Sequence, residues 1–241
     1  MTNRVLLNNI EHKDLRVVSR YGPAYGDAVN QMAVFPTEFE ELQREFVILF
    51  RKDREGTYQA IILLGFDKDE NLFLAEDRWT SRYVPAIQQR GPFSISIERR
   101  EIQGGEEGEP MIHVDLDDPR VVKEEGLPLF REHGGNSPYL DHVAAVLRTI
   151  HIGVEAAKLM YATFEKLALI EPTRLEVSVS DEKKYLLSEF STISAQRLAV
   201  LDGPSLEGLN RAGFLAPAIF VASSLGNMQR LIELKNRREQ A

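Results

Sequence analysis

The 241-residue chain has no cysteine, and its apolar runs are short. Without cysteine it can form no disulfide framework, zinc ribbon, iron–sulfur cluster or thiol nucleophile. Its longest apolar run, 214–222, covers nine residues and contains Pro217, whereas a membrane-spanning helix needs about 20 apolar residues. The first nine residues carry one basic side chain and too short an apolar patch for a signal peptide. We therefore expect no membrane insertion and a cytoplasmic location.

Positive charge is also scarce. Lys and Arg number 29 against 37 Asp and Glu, which gives a formal net charge of −8. Non-specific nucleic-acid binding depends on cations that neutralise phosphates. The basic residues are concentrated only near the C-terminus, where Arg230, Lys235, Arg237 and Arg238 suit the negative pole of a helix dipole. The composition therefore argues against a nucleic-acid partner.

Motifs for cofactor or nucleophile chemistry are missing as well. The chain has no phosphate-binding loop that ends in lysine, and it has no Gly-x-Ser-x-Gly turn. The segment 203–208 has a glycine at each end, but a proline occupies its turn, unlike in a dinucleotide fingerprint. We therefore expect no cofactor.

Metal-ligand patterns are weak. The acidic cluster 115–118 lacks the glycine and the terminal glutamate of a calcium loop, so we interpret it as a turn. His142 and His151 stand nine residues apart on a predicted helix, and at about 100° per residue they face roughly opposite sides. They cannot share an ion, and we expect no metal site.

The first half of the chain is typical of β-structure. Apolar residues alternate in short runs from Val5 to about Leu116. One helix is predicted to interrupt this half, because Thr37 and Glu40 have the spacing of a capping box. The glycine-rich, acidic segment 104–110 predicts an exposed loop.

The second half changes to a helical period. Ser137 suits a helix N-cap, and Pro138 suits the first helical position. Apolar residues then recur at steps of three and four as far as Ala168. This pattern predicts one long helix with an apolar seam of about eight turns.

A hairpin and two helices are predicted after the long helix. Residues 175–179 alternate as a strand, and 185–190 supplies its partner. The helices are 194–201, which we expect to stop at Gly203, and a longer one from near Pro217.

These elements together predict an α+β fold. We expect a mostly antiparallel sheet from the N-terminal half, packed against the long helix and the C-terminal helices. We treat residues 1–241 as one domain and leave a soft boundary open near Glu125.

The segment 79–93 differs in kind from the rest of the chain. It contains the only tryptophan, Trp79, together with Tyr83, Arg90 and Phe93. Aromatic and guanidinium groups together form favourable binding surfaces. Two interpretations are open: a crossover loop whose aromatic side chains enter the core, or an accessible recognition surface.

The same segment resembles a block of the SapC-like family of bacterial proteins, and two further blocks follow in order. The three blocks are Trp79 followed by Tyr83-Val84-Pro85-Ala86, Arg90, Pro92 and Phe93; Gly126-Leu127-Pro128-Leu129-Phe130 followed by Gly134 and Ser137-Pro138-Tyr139-Leu140; and Ser224-Leu225-Gly226-Asn227-Met228-Gln229-Arg230-Leu231. With the early regions 7–16 and 35–50, the resemblance covers most of the chain. Gln88, Gln89 and Gly91 stand where the family commonly has basic and aromatic residues.

The resemblance implies no established reaction. Genes of the family often lie near those for TonB-dependent outer-membrane receptors, flavin-dependent tryptophan halogenases and cupin-like oxygenases. We therefore hypothesise a non-catalytic binding or accessory protein, which engages a peptide or a peptide- or tryptophan-modifying enzyme in a TonB-dependent receptor-associated system. The candidate binding residues are Trp79, Tyr83, Arg90, Phe93, Ser137, Asn227 and Arg230. At Ser137, backbone N–H groups of the helix start would face an anion or carboxylate.

Two alternatives stay open. One is an enzyme that acts on a peptide or small metabolite with His133, His113, Asp115 and Glu109 as acid–base residues. It requires a deep pocket with a strongly shifted titratable group. The other is a homodimer organised by the helical seam, with apolar residues left exposed on the isolated chain.

Overall fold

The computed structural model describes residues 3–102, 105–179 and 183–240, without the side chains of 98–102 and 105–109. The strands, in chain order, are β1 (Arg4–Leu6), β2 (Arg16–Val17), β3 (Gln31–Ala33), β4 (Val47–Lys52), β5 (Tyr58–Leu63), β6 (Leu74–Ala75), β7 (Arg78–Trp79), β8 (Phe93–Ile102), β9 (Gly105–Asp115), β10 (Val121–Val122), β11 (Leu127–Pro128), β12 (Ile170–Ser178) and β13 (Lys184–Ile193). The α-helices are α1 (Phe39–Leu42), α2 (Ala86–Gln89), α3 (Pro138–Lys166), α4 (Ala195–Ala199), α5 (Gly203–Arg211), α6 (Leu215–Ser224) and α7 (Met228–Gln240).

The strands pair antiparallel, and the α+β fold is confirmed. The largest sheet has the order β12-β13-β4-β5-β3, and smaller sheets have the orders β1-β9-β8, β10-β2-β11 and β6-β7. The C-terminal hairpin β12–β13 joins the N-terminal strands through the pair Ser191 and Phe50. The predicted C-terminal hairpin therefore extends the antiparallel sheet of the N-terminal half.

The long predicted helix is confirmed as α3, and it connects two hydrophobic cores. Ser137 caps it, since the Ser137 Oγ accepts a hydrogen bond from the Leu140 N–H at 3.2 Å. The smaller core consists of Val17, Phe93, Val114, Leu129, Leu140, Val143 and Leu147. At the other end of α3, the rings of Tyr161 and Phe164 pack against Phe50 in the larger core.

The middle of α3 approaches the short helical segment that precedes β4. Gly153 is buried there, and a Cβ added to it would lie 2.5 Å from Phe35 Cβ and 2.6 Å from Thr37 Oγ1. The Thr37 hydroxyl donates a hydrogen bond to the Thr149 carbonyl oxygen at 3.0 Å. A residue without a side chain is therefore needed at this contact. The apolar seam is buried in the two cores at both ends of α3. Those parts of the seam are therefore not available for the contact of the alternative homodimer.

Several local expectations are corrected. The capping interaction near α1 joins Glu38 Oε1 to the Phe35 N–H at 3.0 Å, not Thr37 to Glu40. The expected loop 104–110 is wrong from Gly105 onward, because β9 begins there and pairs with β8, while Gly104 lies outside the described residues.

The described residues after the hairpin form four α-helices, α4 to α7, where two were expected. Gly203, expected as a stop, instead begins α5, with the Asp202 side chain accepting the Ser205 N–H at 2.9 Å. The predicted hairpin is confirmed as β12–β13. Within the described part of the chain, no helix is both long enough and apolar enough to cross a membrane.

Candidate functional site

Two of the three sequence blocks meet at a small cavity of about 120 Å³, which we call the Arg120 cavity. It lies between the segment after β2, the end of α2 and the first turns of α3. Its lining residues are Val18, Ser19, Arg20, Tyr21, Gln88, Gln89, Gly91, Arg120, Tyr139 and His142.

Local backbone geometry brings the two blocks into contact. After α2, Gly91 adopts a left-handed φ of 55°, a conformation that glycine adopts without strain. A Cβ added to Gly91 would lie 3.6 Å from the Tyr139 hydroxyl. Tyr139 and His142 are three residues apart on α3, so they project from the same side of its first turns.

Arg120 is the most constrained side chain of the cavity. Its Nε donates a hydrogen bond to Asp118 Oδ1 at 2.9 Å, and its Nη2 donates one to Asp118 Oδ2 at 2.6 Å. Only 11% of the Arg120 side chain and 16% of the Asp118 side chain is exposed. Although burial raises the pKa of Asp118, the hydrogen bonds and charge of Arg120 outweigh it and lower that pKa below its usual range. The pair therefore stays ionised, and Asp118 fixes one edge of the guanidinium.

The other edge of that guanidinium is uncommitted. Arg120 Nη1 makes no hydrogen bond to the described residues, and Arg120 lines the cavity. Arg120 also lies over the Tyr25 ring, with its Cζ 5.8 Å from the ring centroid. Such a contact limits the tilt of the guanidinium plane.

Two tyrosine hydroxyls face the same space. Burial raises the pKa of Tyr139 to about 12, and it also raises the pKa of Tyr21, while the positive charge of Arg120 acts to lower both. Both hydroxyls are therefore protonated at neutral pH. Within the described part of the chain neither one makes a hydrogen bond, so each is an unused donor.

Positive charge exceeds negative charge around the cavity. Behind it, Arg90 donates a hydrogen bond from Nη1 to the Phe93 carbonyl oxygen at 2.9 Å. Burial lowers the pKa of Arg90, and repulsion from Arg4 and Arg120 lowers it further, while Asp118 acts in the opposite direction. Among the described lining residues, no carboxylate occurs.

Trp79 lies inside the protein rather than on its surface. Only 7% of it is exposed, and its ring packs edge-on against Tyr21 and Phe46, each with 6.5 Å between centroids. The interpretation of the indole as part of an accessible surface is therefore wrong. Trp79 fits the other interpretation, in which the aromatic side chains of a crossover loop enter the core.

The indole N–H faces the buried carboxylate of Asp27. Burial raises the pKa of Asp27, and the Gly22 N–H at 2.6 Å and the indole act to lower it. Neither Trp79 Nε1 nor Asp27 Oδ1 has a hydrogen bond of regular geometry to the described residues. A wall of the site next to Tyr21 therefore contains incompletely paired polar atoms, which are rare in protein interiors.

Tyr83, Arg90 and Phe93 are structural in this fold. The Tyr83 hydroxyl donates to Glu38 Oε2 at 3.0 Å, and burial is the main reason that the pKa of Tyr83 is raised. Phe93 is fully buried in the smaller core. These side chains hold the segment 79–93 in place, and the lining of the cavity comes instead from Gln88, Gln89 and Gly91.

The remaining predicted binding residues lie elsewhere. Asn227 Nδ2 donates to the Phe46 carbonyl oxygen at 2.8 Å, and Arg230 pairs with Glu45 at 2.9 Å. Ser137 lines a separate groove of about 790 Å³, which we call the basic groove. Its charged lining residues are Lys13, Asp14, Arg16, Lys123, Arg131 and Glu132. The role of Ser137, Asn227 and Arg230 in binding stays a prediction.

Three of the four candidate acid–base residues belong to β9, and the fourth, His133, lies on another segment. His113 and Asp115 belong to β9, where they pair with Leu6 and Arg4 of β1. His133 lies in the exposed connection before α3. The Glu109 side chain is outside the described residues. Among the described residues, no cluster of three or more histidine or acidic side chains could hold a metal ion.

Sequence reasoning missed the central residues of the cavity. Asp118 belongs to the acidic cluster that we interpreted as a turn, Arg120 follows it closely, and Tyr139 was quoted in the second block without a role. The available signal was that the segment 79–93 and the helix start at Ser137 both supplied candidate binding residues. This signal identified two of the segments that line the cavity but not the side chains at its centre.

Comparison with known proteins gives one result. Residues 7–231 match the family model described as SapC. No curated protein and no solved structure is significantly similar to the chain. Because the match spans most of the 241 residues, the chain belongs to the SapC family.

Proposed function

We propose that this protein is a non-catalytic binding protein that engages a peptide, with the Arg120 cavity receiving one polar group of that peptide. The observation that carries the proposal is the convergence of unused donors on one space. Arg120 Nη1 and the hydroxyls of Tyr21 and Tyr139 line the cavity without hydrogen bonds to the described residues. Small binding sites are typically concave, with a few convergent polar groups.

The chemistry of the lining favours binding over catalysis. A tyrosine whose pKa is raised to about 12 donates hydrogen bonds well but is a weak general base at neutral pH. Arg120 is held ionised by Asp118 and serves as an electrostatic anchor. Since His133 and His113 lie on separate elements, the acid–base alternative gains no support from their placement.

The size of the cavity limits what it holds. About 120 Å³ suits a terminal group or a small side chain rather than a whole peptide. The rest of the peptide would extend over the exposed surface near Ser19 and Arg20. The partner enzyme or receptor system, including a TonB-dependent one, is proposed on the family resemblance alone.

Selection from a displayed random peptide library tests the proposal. Ser19 is exposed, lines the cavity and makes no side-chain hydrogen bond to the described residues, so Ser19→Trp blocks the entrance without disturbing the core. Ser188→Trp, at an exposed position of β13, is the matched control. We expect peptides selected on the wild type to bind Ser188→Trp equally well and Ser19→Trp at least ten-fold more weakly. Equal binding to all three proteins would refute the proposed site.

A further inference from the structure

We infer that the group bound in the Arg120 cavity is a carboxylate. This inference rests on the proposed function and specifies its ligand. Asp118 already occupies the Nε and Nη2 edge of Arg120, so a second anion can approach this guanidinium only through Nη1, and Arg120 is one of the residues that line the cavity. Guanidinium groups recognise carboxylates with directional, charge-assisted hydrogen bonds.

The charge balance supports an anion. Arg20 and Arg120 are lining residues of the cavity, and Arg90 is close enough to Arg120 for the repulsion between them to lower the pKa of Arg90. Asp118 compensates one of these charges through its pairing with Arg120. Buried charges are costly unless they are paired, so a bound monoanion would relieve the surplus.

The carboxyl group of Asp27 does not supply that anion. Asp27 Oδ2 is already engaged by the Gly22 N–H at 2.6 Å, and Oδ1 faces the Trp79 side of Tyr21. Burial raises the pKa of Asp27, while its hydrogen bonds and the charge of Arg120 lower it, and the charge of Asp27 in turn raises the pKa of Arg120. Even with Asp27 ionised, the three guanidinium groups of Arg20, Arg90 and Arg120 exceed the two carboxylates of Asp27 and Asp118 by one positive charge.

The donor count matches a carboxylate. An ionised carboxylate has about four lone-pair positions. Arg20, Tyr21, Arg120 and Tyr139 all line this space and carry side-chain donors, of which Arg120 Nη1 and the two hydroxyls make no hydrogen bond to the described residues. A neutral amide, which must also donate from its nitrogen, would match this set of donors less well.

Titration of the full chain with two small probes tests the inference. N-acetylglycine presents a carboxylate, and N-acetylglycine N-methylamide presents a neutral group of similar shape. We expect the acid to bind at least ten-fold more tightly than the amide, with an affinity that falls as salt is added. Inorganic phosphate is the third probe, and we expect it to bind more weakly than the acid because it lacks the acetamido group, which would extend from the carboxylate over the surface near Ser19 and Arg20.

Two variants and two matched controls locate the binding. Tyr139→Phe removes one unused hydroxyl, and we expect about five- to ten-fold weaker binding of N-acetylglycine. Arg20→Gln removes an exposed charge, and we expect about a three- to five-fold loss. The controls are Tyr58→Phe on β5 and Arg54→Gln in the β4–β5 turn. Neither residue lines the cavity, so binding of N-acetylglycine should not change. Unfolding midpoints equal to that of the wild type verify that all four proteins are folded.

A pair of peptides of identical sequence, one with a free C-terminus and one amidated, distinguishes a terminal carboxylate from an acidic side chain. If only the free form of a selected peptide binds, the cavity takes the terminus; if both forms bind and an Asp or Glu is required, it takes a side chain. Equal binding of N-acetylglycine and its amide, or tighter binding of phosphate, would overturn the carboxylate assignment but leave the proposed function standing. Failure of the library selection together with both small probes would overturn both.

Discussion

Asp118 holds Arg120 by two parallel hydrogen bonds, from Nε to Oδ1 at 2.9 Å and from Nη2 to Oδ2 at 2.6 Å. The same Asp118 oxygen Oδ1 accepts the backbone N–H of Arg120 at 2.9 Å. One carboxylate therefore fixes both the side chain and the local backbone of the residue at the centre of the cavity. Nη1 is thereby the one nitrogen of this guanidinium without a hydrogen bond to the described residues, and Arg120 lines the cavity together with Tyr21 and Tyr139.

Removal of the negative charge of Asp118 should destabilise the protein by an amount that depends on pH. Because the pKa of Asp118 is lower in the folded protein than in the unfolded chain, its contribution is present above the unfolded value of about 4 and is lost as the pH falls through the folded value. We expect Asp118→Asn to lower the free energy of unfolding by about 2 kcal/mol at pH 7. Urea unfolding at pH 7 and pH 3 measures this difference, which should shrink at the lower pH. If the free energies of unfolding of the wild type and the variant differ by the same amount at both pH values, the ionised pair of Asp118 and Arg120 does not contribute to stability.

The contact of α3 with Phe35 and Thr37 predicts opposite effects at two helical glycines. Gly153→Ala gains up to about 1 kcal/mol of helix propensity. The added Cβ, however, would lie 2.5 Å from Phe35 Cβ, and overpacking of this kind costs about 1–3 kcal/mol. We expect a net loss of stability.

Gly208→Ala in α5 is the matched control, because nothing lies within 4 Å of the position of its Cβ. We expect it to stabilise the protein by about 0.5–1 kcal/mol. The thermal unfolding midpoints of the two variants, compared with that of the wild type, test whether Gly153→Ala destabilises the protein and Gly208→Ala stabilises it. Equal shifts of the same sign would mean that α3 does not pack closely on Phe35 and Thr37.

The buried Tyr161 hydroxyl supports the central sheet. It accepts the Ala60 N–H of β5 at 2.7 Å, and Ala60 is fully buried. Tyr161→Phe leaves that N–H without a partner, which should cost about 2 kcal/mol. Hydrogen exchange at the Ala60 amide provides a second readout, and it should accelerate in the variant beyond the global change. An unchanged exchange rate at Ala60 would contradict this role.

Lys235 of α7 is buried between two carboxylates. Its Nζ lies 2.6 Å from Asp67 Oδ2 and 2.6 Å from Glu70 Oε1. Lys235→Met leaves both carboxylates without this cation, and we expect a loss of about 3 kcal/mol in the free energy of unfolding. The exposed Lys184→Met is the control and should change stability by less than about 0.5 kcal/mol. Similar stabilities of the two variants in urea would show that the buried ion cluster is dispensable.

Elements that depend on local signals were predicted correctly. The helix α3 combines a Ser137 cap, a proline at its first position and a regular apolar seam, and each of these acts within a few residues. The first half of β9 was missed because this glycine-rich segment is held by pairing with β8, an interaction that local composition does not reveal.

The site was predicted only in outline for a similar reason. The mixture of aromatic and basic residues in 79–93 is equally compatible with a surface and with a buried crossover. Distant partners, Tyr21 and Phe46, decide that Trp79 is buried. Lys235, interpreted as a helix-dipole residue, is likewise buried by carboxylates about 165 residues earlier in the chain.

Two-dimensional ¹H–¹⁵N spectra of the full chain, recorded during titration with N-acetylglycine, provide the most direct measurement of binding in the Arg120 cavity. The largest shift changes should occur at the backbone amides of Gly91, Arg120 and Tyr139. The amides of the basic groove, such as Lys13 and Arg131, should remain unchanged. Largest changes in the basic groove, or none at Gly91, Arg120 and Tyr139, would contradict the assignment of binding to this cavity.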